Sequence, residues 1–213
     1  MSLRIAVDLD GVLADMAGEL ARQAGTLFGE VTERRLTQRE QRRLWRHAET
    51  IENFWETLPE LEPGTIRRFA ALAAERRWEI IFLTTRPAAA GETSQVQTQR
   101  WLVSKGFALP SVFVVQGSHG RIAAALDLDF VVDDRPDNCL DIVVDSKARA
   151  ILVWRGDERE LPAPSRRVGI GIVKSFKECL DILAEVDAPS AEPAGFVERV
   201  KKLLGLSEQA KEG

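Results

Sequence analysis

Arg4-Ile5-Ala6-Val7-Asp8-Leu9-Asp10-Gly11-Val12-Leu13-Ala14-Asp15 is the stretch of this 213-residue chain that decides its fold. Its first apolar residues predict a buried strand, and two carboxylates follow before a glycine at which the chain can turn sharply. Because side chains alternate along an extended chain, Asp8 and Asp10 are expected on the same side. Two like charges this close need a cation between them, or a proton on one of them. Either arrangement predicts chemistry at the end of this strand.

Two later segments repeat the pattern of an apolar strand that ends in polar side chains. One ends in the hydroxyls of Thr84 and Thr85 and the guanidinium of Arg86. The other ends in the paired carboxylates of Asp133 and Asp134. Each segment alone also fits an ordinary polar turn. Three of them in one chain, each with groups that suit a phosphate or a divalent cation, favour a shared site.

Apolar strands alternate with helical stretches along most of the chain, which predicts an α/β fold. Strands are expected at residues 5–7, 80–83, 112–115, 130–132 and 151–153. Helices are expected at residues 65–77, 94–105, 122–126 and 140–148. Short, continuous apolar strands predict a Rossmann-like, doubly wound parallel sheet with both faces covered. Ligands of such sheets bind outside the carboxyl ends of the strands, where all three polar segments lie.

The segments outside this alternation suggest how the chain is divided. Residues 16–62 have a helical pattern and no good strand, so a small helical cap is expected there, inserted after the first strand. The core is then expected in residues 1–15 and 63–185, followed by a linker at 186–195. A C-terminal helix and tail are expected at 196–213, where the helix docks on the core or meets a second subunit in a homodimer. Its apolar face consists of Phe196, Val200, Leu203 and Leu204.

The three polar segments resemble motifs I, II and IV of the haloacid dehalogenase-like (HAD-like) phosphohydrolases. Within that superfamily the chain most resembles the 5'(3')-deoxyribonucleotidases and their bacterial relatives. The stretches that carry the resemblance are DLDGVLAD at 8–15, NFWETLP at 53–59 and VDDRPD at 132–137. The resemblance implies a HAD-like core and a Mg²⁺-dependent phosphomonoesterase that works through an aspartyl-phosphate.

The resemblance also implies roles for the carboxylates. Asp8 corresponds to the nucleophile that attacks phosphorus, and Asp10 corresponds to the acid and base that moves the proton. The metal ligands are expected to be Asp8, Asp10 through its backbone carbonyl, and Asp134, with Asp133 as the competing member of its pair. Mg²⁺ prefers such hard oxygen ligands and retains several waters.

Residues expected to bind phosphate match the family less completely. Thr84 corresponds to the motif II hydroxyl, with Thr85 beside it, and Arg86 can fork onto a phosphate or pair with a carboxylate at the strand end. The family places a lysine in the loop before the motif IV strand, but this loop contains none. Arg121 is the first candidate to supply the positive charge there and His119 is the second. A lysine from elsewhere in the chain, or no equivalent residue, is the third possibility. A weakened or lost phosphatase activity is the alternative.

The expected cap carries aromatic residues and a basic stripe. Trp45, Phe54 and Trp55 can stack on a nucleobase, but helical spacing also predicts an apolar packing stripe. That stripe consists of Leu44, Ala48, Ile51 and Trp55. The basic stripe can attract an anionic substrate or simply face solvent. It consists of Arg35, Arg39, Arg42 and Arg46.

The composition limits which class of protein and which partners are expected. Apolar residues make up 45% of the chain and charged residues 29%, as in ordinary globular proteins. The net charge of −4 does not indicate a basic surface that would bind a polyanion, so nucleic acid is not expected as a partner. No apolar run approaches the length of a membrane span. The chain is expected to be cytoplasmic, with Cys139 and Cys179 as reduced thiols.

The leading hypothesis is a phosphomonoesterase for a small phosphorylated substrate, with nucleoside monophosphates as the first choice. A phosphatase for another metabolite, or for a terminal phosphate on nucleic acid, is the alternative within enzymes. A non-catalytic relative that binds a ligand or partner is the alternative outside them, and the missing lysine favours it.

Overall fold

The computed structural model describes residues 2–29, 36–162, 165 and 168–187. Six parallel strands form one sheet in the order β3-β2-β1-β4-β5-β6. They are β1 (Arg4–Asp8), β2 (Glu79–Thr84), β3 (Ser111–Val114), β4 (Phe130–Asp133), β5 (Arg149–Val153) and β6 (Gly171–Val173). The strand order reverses around β1, which pairs with β2 on one side and β4 on the other. The predicted Rossmann-like parallel sheet is confirmed, with β6 as an added strand.

Helices cover both faces of the sheet. They are α1 (Met16–Phe28), α2 (Gln38–Thr50), α3 (Thr65–Arg76), α4 (Ser94–Ser104), α5 (His119–Ala125), α6 (Pro136–Asp145) and α7 (Phe176–Val186). Short 3₁₀ turns occur at Phe54–Glu56 and Glu158–Glu160. None of the helices in the described ranges is both long and apolar enough to cross a bilayer.

Alternation along β1 divides the buried residues into two clusters. Ile5 and Val7 pack with residues of α3, α4 and α7 on one face of the sheet. Ala6 packs with residues of α5 and α6 on the other face. Both cysteines are free and buried in these clusters. Because β1 has no solvent-facing side, its apolar residues form a continuous run rather than an alternating pattern.

The segment between β1 and α3 forms the small helical cap of the predicted fold class. α1 and α2 pack against each other, and the 3₁₀ turn joins them to the core. Hydrogen bonds attach the cap to the loop and first turn that follow β2, among them Ala90 N to Glu49 O (2.8 Å), Asn53 N to Ala90 O (2.9 Å) and Trp55 N to Gln97 Oε1 (3.0 Å). The cap is therefore fixed to the element that carries motif II.

The basic stripe of the cap faces solvent. Arg39, Arg42 and Arg46 on α2 are exposed, whereas Arg35 lies outside the described residues. At the other end of the chain, α7 runs to Val186, the first residue of the predicted linker. The rest of that linker and the predicted C-terminal helix lie outside the described residues.

One carboxylate connects α7 to the turn after β1. Glu62 accepts hydrogen bonds from the backbone N–H groups of Phe176 (2.8 Å) and Lys177 (2.9 Å) at the start of α7. Glu62 also pairs with Arg155, whose guanidinium donates to the carbonyl of Gly11. A carboxylate at a helix N-terminus is favourable because it meets free N–H groups and the positive end of the helix dipole.

Candidate active site

A cavity of about 470 Å³ lies at the carboxyl ends of β1, β2 and β4. Its lining from the strand ends and the turns that follow comprises Asp8, Asp10, Thr85, Arg86, Pro87, His119, Asp134 and Arg135. The cap contributes Met16, Trp45, Glu49 and Trp55, and α6 contributes Asn138. The three polar segments of the sequence therefore meet at one place, beneath the cap.

Three carboxylates cluster at this point. Oxygen atoms of Asp8, Asp133 and Asp134 lie within 4.8 Å of one another. Burial, followed by the charges of Asp133, Asp10 and Asp134, raises the pKa of Asp8 well above its usual value. Burial and the charge of Asp133 raise the pKa of Asp134 to about 6. Both shifts have the same cause, which is burial of several carboxylates close together.

The two members of the aspartate pair differ in how their oxygens are used. Asp133 is fully buried, and its carboxylate contacts Arg135 N (2.8 Å), Asn138 Nδ2 (2.9 Å) and His119 Nδ1 (3.2 Å). Oδ1 of Asp134 is buried and has no hydrogen-bond partner. An unpartnered buried oxygen beside two other carboxylates is what a bound cation would satisfy. Asp8 and Asp134 therefore fit a divalent cation, whereas Asp133 also anchors its surroundings.

Gly11 allows the turn after β1 to approach this cluster closely. Its φ of +91° lies in the left-handed region that glycine adopts readily. A Cβ at this position would lie 2.0 Å from Oδ2 of Asp134. The glycine that follows the two motif I aspartates is thus required by backbone conformation and by space.

Arg86 forks onto a carboxylate, one of the two alternatives expected from the sequence. Its Nη2 donates to Oδ1 of Asp10 (2.7 Å), and its Nε donates to Oδ2 (2.9 Å). Its Nη1 donates to Thr98 Oγ1 (2.9 Å). The guanidinium carbon lies 4.9 Å from the ring centre of Trp55 and 5.7 Å from that of Trp101. The side chain is fully buried in this arrangement.

The cation expected at the position of the family lysine is not Arg121. The Arg121 side chain is 84% exposed, and its nearest acidic group is Asp145 at 3.9 Å. His119 instead lines the cavity and is buried, with Nδ1 against Asp133 and with Nε2 unpartnered. The reason is geometric: residues two apart on α5 point about 200° apart around the helix axis. His119 therefore faces the site and Arg121 faces solvent.

The two threonines of motif II have different surroundings. Thr84 is buried, and its Oγ1 accepts a hydrogen bond from the backbone N–H of Arg86 (3.4 Å). Thr85 lines the cavity, and Thr84 is not part of the lining. Of the two threonines, Thr85 is therefore the one that borders the cavity.

The three cap aromatics differ in how far they are buried. Phe54 is buried in the core, away from the cavity lining, and Trp55 is 1% exposed, with Nε1 donating to Pro87 O (3.0 Å). Trp45 is only partly buried and lines the cavity. Both tryptophans border the cavity, and of the three aromatics Trp45 is the one with substantial exposed surface. Packing thus accounts for the other two aromatics.

Sequence reasoning missed several residues of the cavity lining. They are Met16, Glu49, Pro87, Arg135 and Asn138. Two signals were available. Glu49 follows Trp45 by one helical turn on α2. Arg135 precedes α6 and Asn138 lies in its first turn, directly after the aspartate pair.

Comparisons with known proteins bear on the fold. No protein-family model and no curated protein sequence matches the chain. A solved Thermotoga maritima protein assigned as a β-phosphoglucomutase is 18% identical with a TM-score of 0.56, over 86% of this chain and 99% of that one. A HAD family hydrolase from Deinococcus radiodurans, solved with bound phosphate and sodium, is 14% identical with a TM-score of 0.56, over 89% of this chain and 99% of that one.

The chain has the HAD-like fold. Identities of 18% and 14% show a shared architecture and not a shared substrate. Neither structure is named as a nucleotidase, so the resemblance to the deoxyribonucleotidase branch stays a prediction. On this HAD-like fold, the acidic cluster lies at the strand-order reversal, where parallel α/β sheets bind their ligands.

Proposed function

We propose that this chain is a divalent-cation-dependent phosphomonoesterase. The observation that carries the proposal is the cluster of Asp8, Asp133 and Asp134 beside a cavity of about 470 Å³. Uncompensated carboxylates at a cavity wall oppose folding, and a cation together with a phosphate ester would use them. The phosphate and sodium bound by the Deinococcus radiodurans HAD hydrolase agree with this proposal.

The proposed reaction has two steps on Asp8. In the first, a carboxylate oxygen of Asp8 attacks phosphorus, the ester P–O bond breaks, and Asp10 gives its proton to the departing oxygen. In the second, a water oxygen attacks the same phosphorus and passes a proton to Asp10. The acyl-phosphate P–O bond then breaks, which restores the Asp8 carboxylate and releases phosphate. The same proton acceptor and donor serves both steps.

Asp8 and Asp134 are the proposed metal ligands, together with the backbone carbonyl of Asp10. Mg²⁺ is the favoured ion because the available donors are hard oxygens and few of them are carboxylates. The ion would neutralise the phosphate charge that otherwise repels the nucleophile. Asp133 is assigned to orient His119 and the first turn of α6, since its oxygens already meet protein donors.

His119 is the proposed phosphate contact at the position of the family lysine. Nε2 of His119 is buried beside the cavity without a partner, and Nδ1 faces Asp133. Donation from Nδ1 to Asp133 together with donation from Nε2 to phosphate requires a proton on both ring nitrogens, so the proposed contact uses the imidazolium form. Thr85 is the second proposed contact, because its side chain lines the cavity.

The leaving group is proposed to be a nucleoside or a similar planar group. Trp45 offers a partly exposed ring, and Glu49, one turn later on α2, offers a carboxylate that accepts hydrogen bonds. A ring that carries N–H or O–H donors would match this pair. A small sugar phosphate is the alternative metabolite, because hydroxyl groups can use the same carboxylate.

Phosphate release from a panel of monophosphates tests the proposal. The panel contains nucleoside, sugar and aryl monophosphates, assayed with Mg²⁺ and with EDTA. We expect metal-dependent release, and a loss of at least about 1,000-fold in Asp8→Asn. Asp137→Asn is the matched control, because Asp137 is an exposed carboxylate in the first turn of α6. If folded wild-type protein releases phosphate from none of these esters, the proposal is overturned and a ligand-binding role is favoured.

A further inference from the structure

We infer that Arg86 is a positioning residue for the proton carried by Asp10, and does not bind the transferred phosphate. This inference rests on the proposed function. Each terminal nitrogen of Arg86 already has a partner inside the protein: Nη2 bonds to Asp10 at 2.7 Å and Nη1 bonds to Thr98 at 2.9 Å. Nε completes the fork onto Asp10 at 2.9 Å. Three of its five N–H donors are thus committed to partners inside the protein, and a phosphate could take the two-point fork only by breaking the pair with Asp10.

Two indole rings also lie close to the guanidinium. Trp55 from the cap and Trp101 from α4 lie within 6 Å of its carbon, at 4.9 and 5.7 Å. Trp55 is itself fixed, because its backbone N–H donates to Gln97 and its indole N–H donates to Pro87. Arg86 has no freedom to swing toward a ligand without disturbing the packing of both the cap and the core.

The chemistry explains why such a rigid pair is useful. A carboxylate has about four lone-pair sites, and the fork uses those that face Arg86, which leaves others for the reacting oxygen. When Asp10 gives up its proton in the first step, negative charge develops beside a guanidinium that is already in place. When a water is deprotonated in the second step, the same fork holds the accepting carboxylate in position. A lysine ammonium would supply charge but no two-point orientation.

The experiment separates the two chemical steps in Arg86→Lys and Arg86→Gln. An aryl ester such as p-nitrophenyl phosphate has a leaving group that needs no proton, whereas an alkyl ester does. Single-turnover release of p-nitrophenolate, with enzyme in excess, reports the first step alone. Steady-state turnover of the same ester includes the second step, which needs Asp10 as a base. Arg121→Lys and Arg121→Gln are matched controls, because Arg121 is an exposed arginine outside the cavity lining.

We expect single-turnover release of p-nitrophenolate to change by less than about threefold in both Arg86 variants. Steady-state turnover of the aryl ester, and single-turnover release from an alkyl ester, should each fall about 100-fold, the lower end of general acid–base effects. Arg86→Lys should recover part of the rate lost in Arg86→Gln, because it retains the charge. Thermal unfolding shows whether each Arg86 variant is folded. If one of them is not, the kinetics of the other variant test the inference.

Equal losses in all three measurements, with a raised KM for the aryl ester, would overturn the inference and assign Arg86 to the phosphate. Unchanged kinetics in a folded variant would also overturn it. Failure of the proposed function gives a different result, since wild-type protein would then release neither p-nitrophenolate nor phosphate.

Discussion

Asp134→Asn should stabilise the metal-free protein at pH 8, although it removes a motif residue. Burial and the charge of Asp133 raise the pKa of Asp134 from 3.8 to about 6. The folded protein therefore holds this proton more tightly than the unfolded chain does. The resulting stabilisation is present below about pH 4 and is lost as pH rises to about 6. Above that range, the ionised carboxylate opposes folding, and an uncharged amide removes the opposition.

The size of the effect follows from the same shift. A raise of about two pKa units corresponds to about 3 kcal/mol, at about 1.4 kcal/mol per unit. Because Asp134 is only partly buried, solvent screening reduces the expected gain to about 1–2 kcal/mol in the free energy of unfolding. The gain should shrink toward zero near pH 4, where the wild-type carboxyl is protonated in most molecules.

Urea unfolding in EDTA at pH 4 and pH 8 measures the difference directly. Asp137→Asn serves as the control, because Asp137 is an exposed carboxylate three residues later, in the first turn of α6, and should give no such gain. Adding Mg²⁺ at pH 8 should stabilise wild-type protein more than Asp134→Asn, since the variant lacks a proposed ligand. An Asp134→Asn protein that is no more stable than wild type at pH 8 in EDTA would refute the reasoning.

Three other variants test separate parts of the site. His119→Ala should raise KM about 10- to 100-fold through loss of a hydrogen bond to a charged phosphate, whereas Arg121→Ala should change KM less than twofold in the same assay. Trp45→Ala should raise KM about tenfold for esters of planar leaving groups and leave small alkyl phosphates unaffected; equal effects on both would argue against stacking. Gly11→Ala, with its φ of +91°, should lower the free energy of unfolding by about 1–3 kcal/mol and weaken Mg²⁺-induced stabilisation, both measured by thermal unfolding.

Much of the fold could be predicted from the sequence because the central strands are buried on both faces. β1, β2 and β4 each read as a continuous apolar run, and each ends at the polar motif expected there. β6 has only three residues, Gly171–Val173, too few for a pattern. α7 did have a signal: Ser175 precedes Glu178 by three residues, and apolar positions recur at helical spacing through Val186.

The meeting of Asp8 with Asp133 and Asp134 could also be predicted, because parallel strands present their carboxyl ends at the same edge of the sheet, and β1 pairs with β4. The sequence could not predict which side chain takes the place of the family lysine, because that depends on where α5 begins. The helix starts at His119, three residues before the predicted start, and this start turns His119 inward and Arg121 outward. Likewise, sequence could not decide whether Arg86 meets a phosphate or a carboxylate. Its partner, Asp10, lies 76 residues away and is brought near by the pairing of β1 with β2.

Glu62 joins two parts of the chain that are synthesised far apart in time. Its carboxylate accepts from the first two N–H groups of α7 and, through Arg155, is linked to the carbonyl of Gly11 in the turn that follows Asp8, the proposed nucleophile. The first strand leaves the ribosome long before α7 does, and chains fold while they emerge. Until residue 177 has been added, Glu62 lacks the partners it meets in α7. Nascent chains halted before α7 should therefore carry every proposed catalytic side chain and still lack the final support of the turn that presents them.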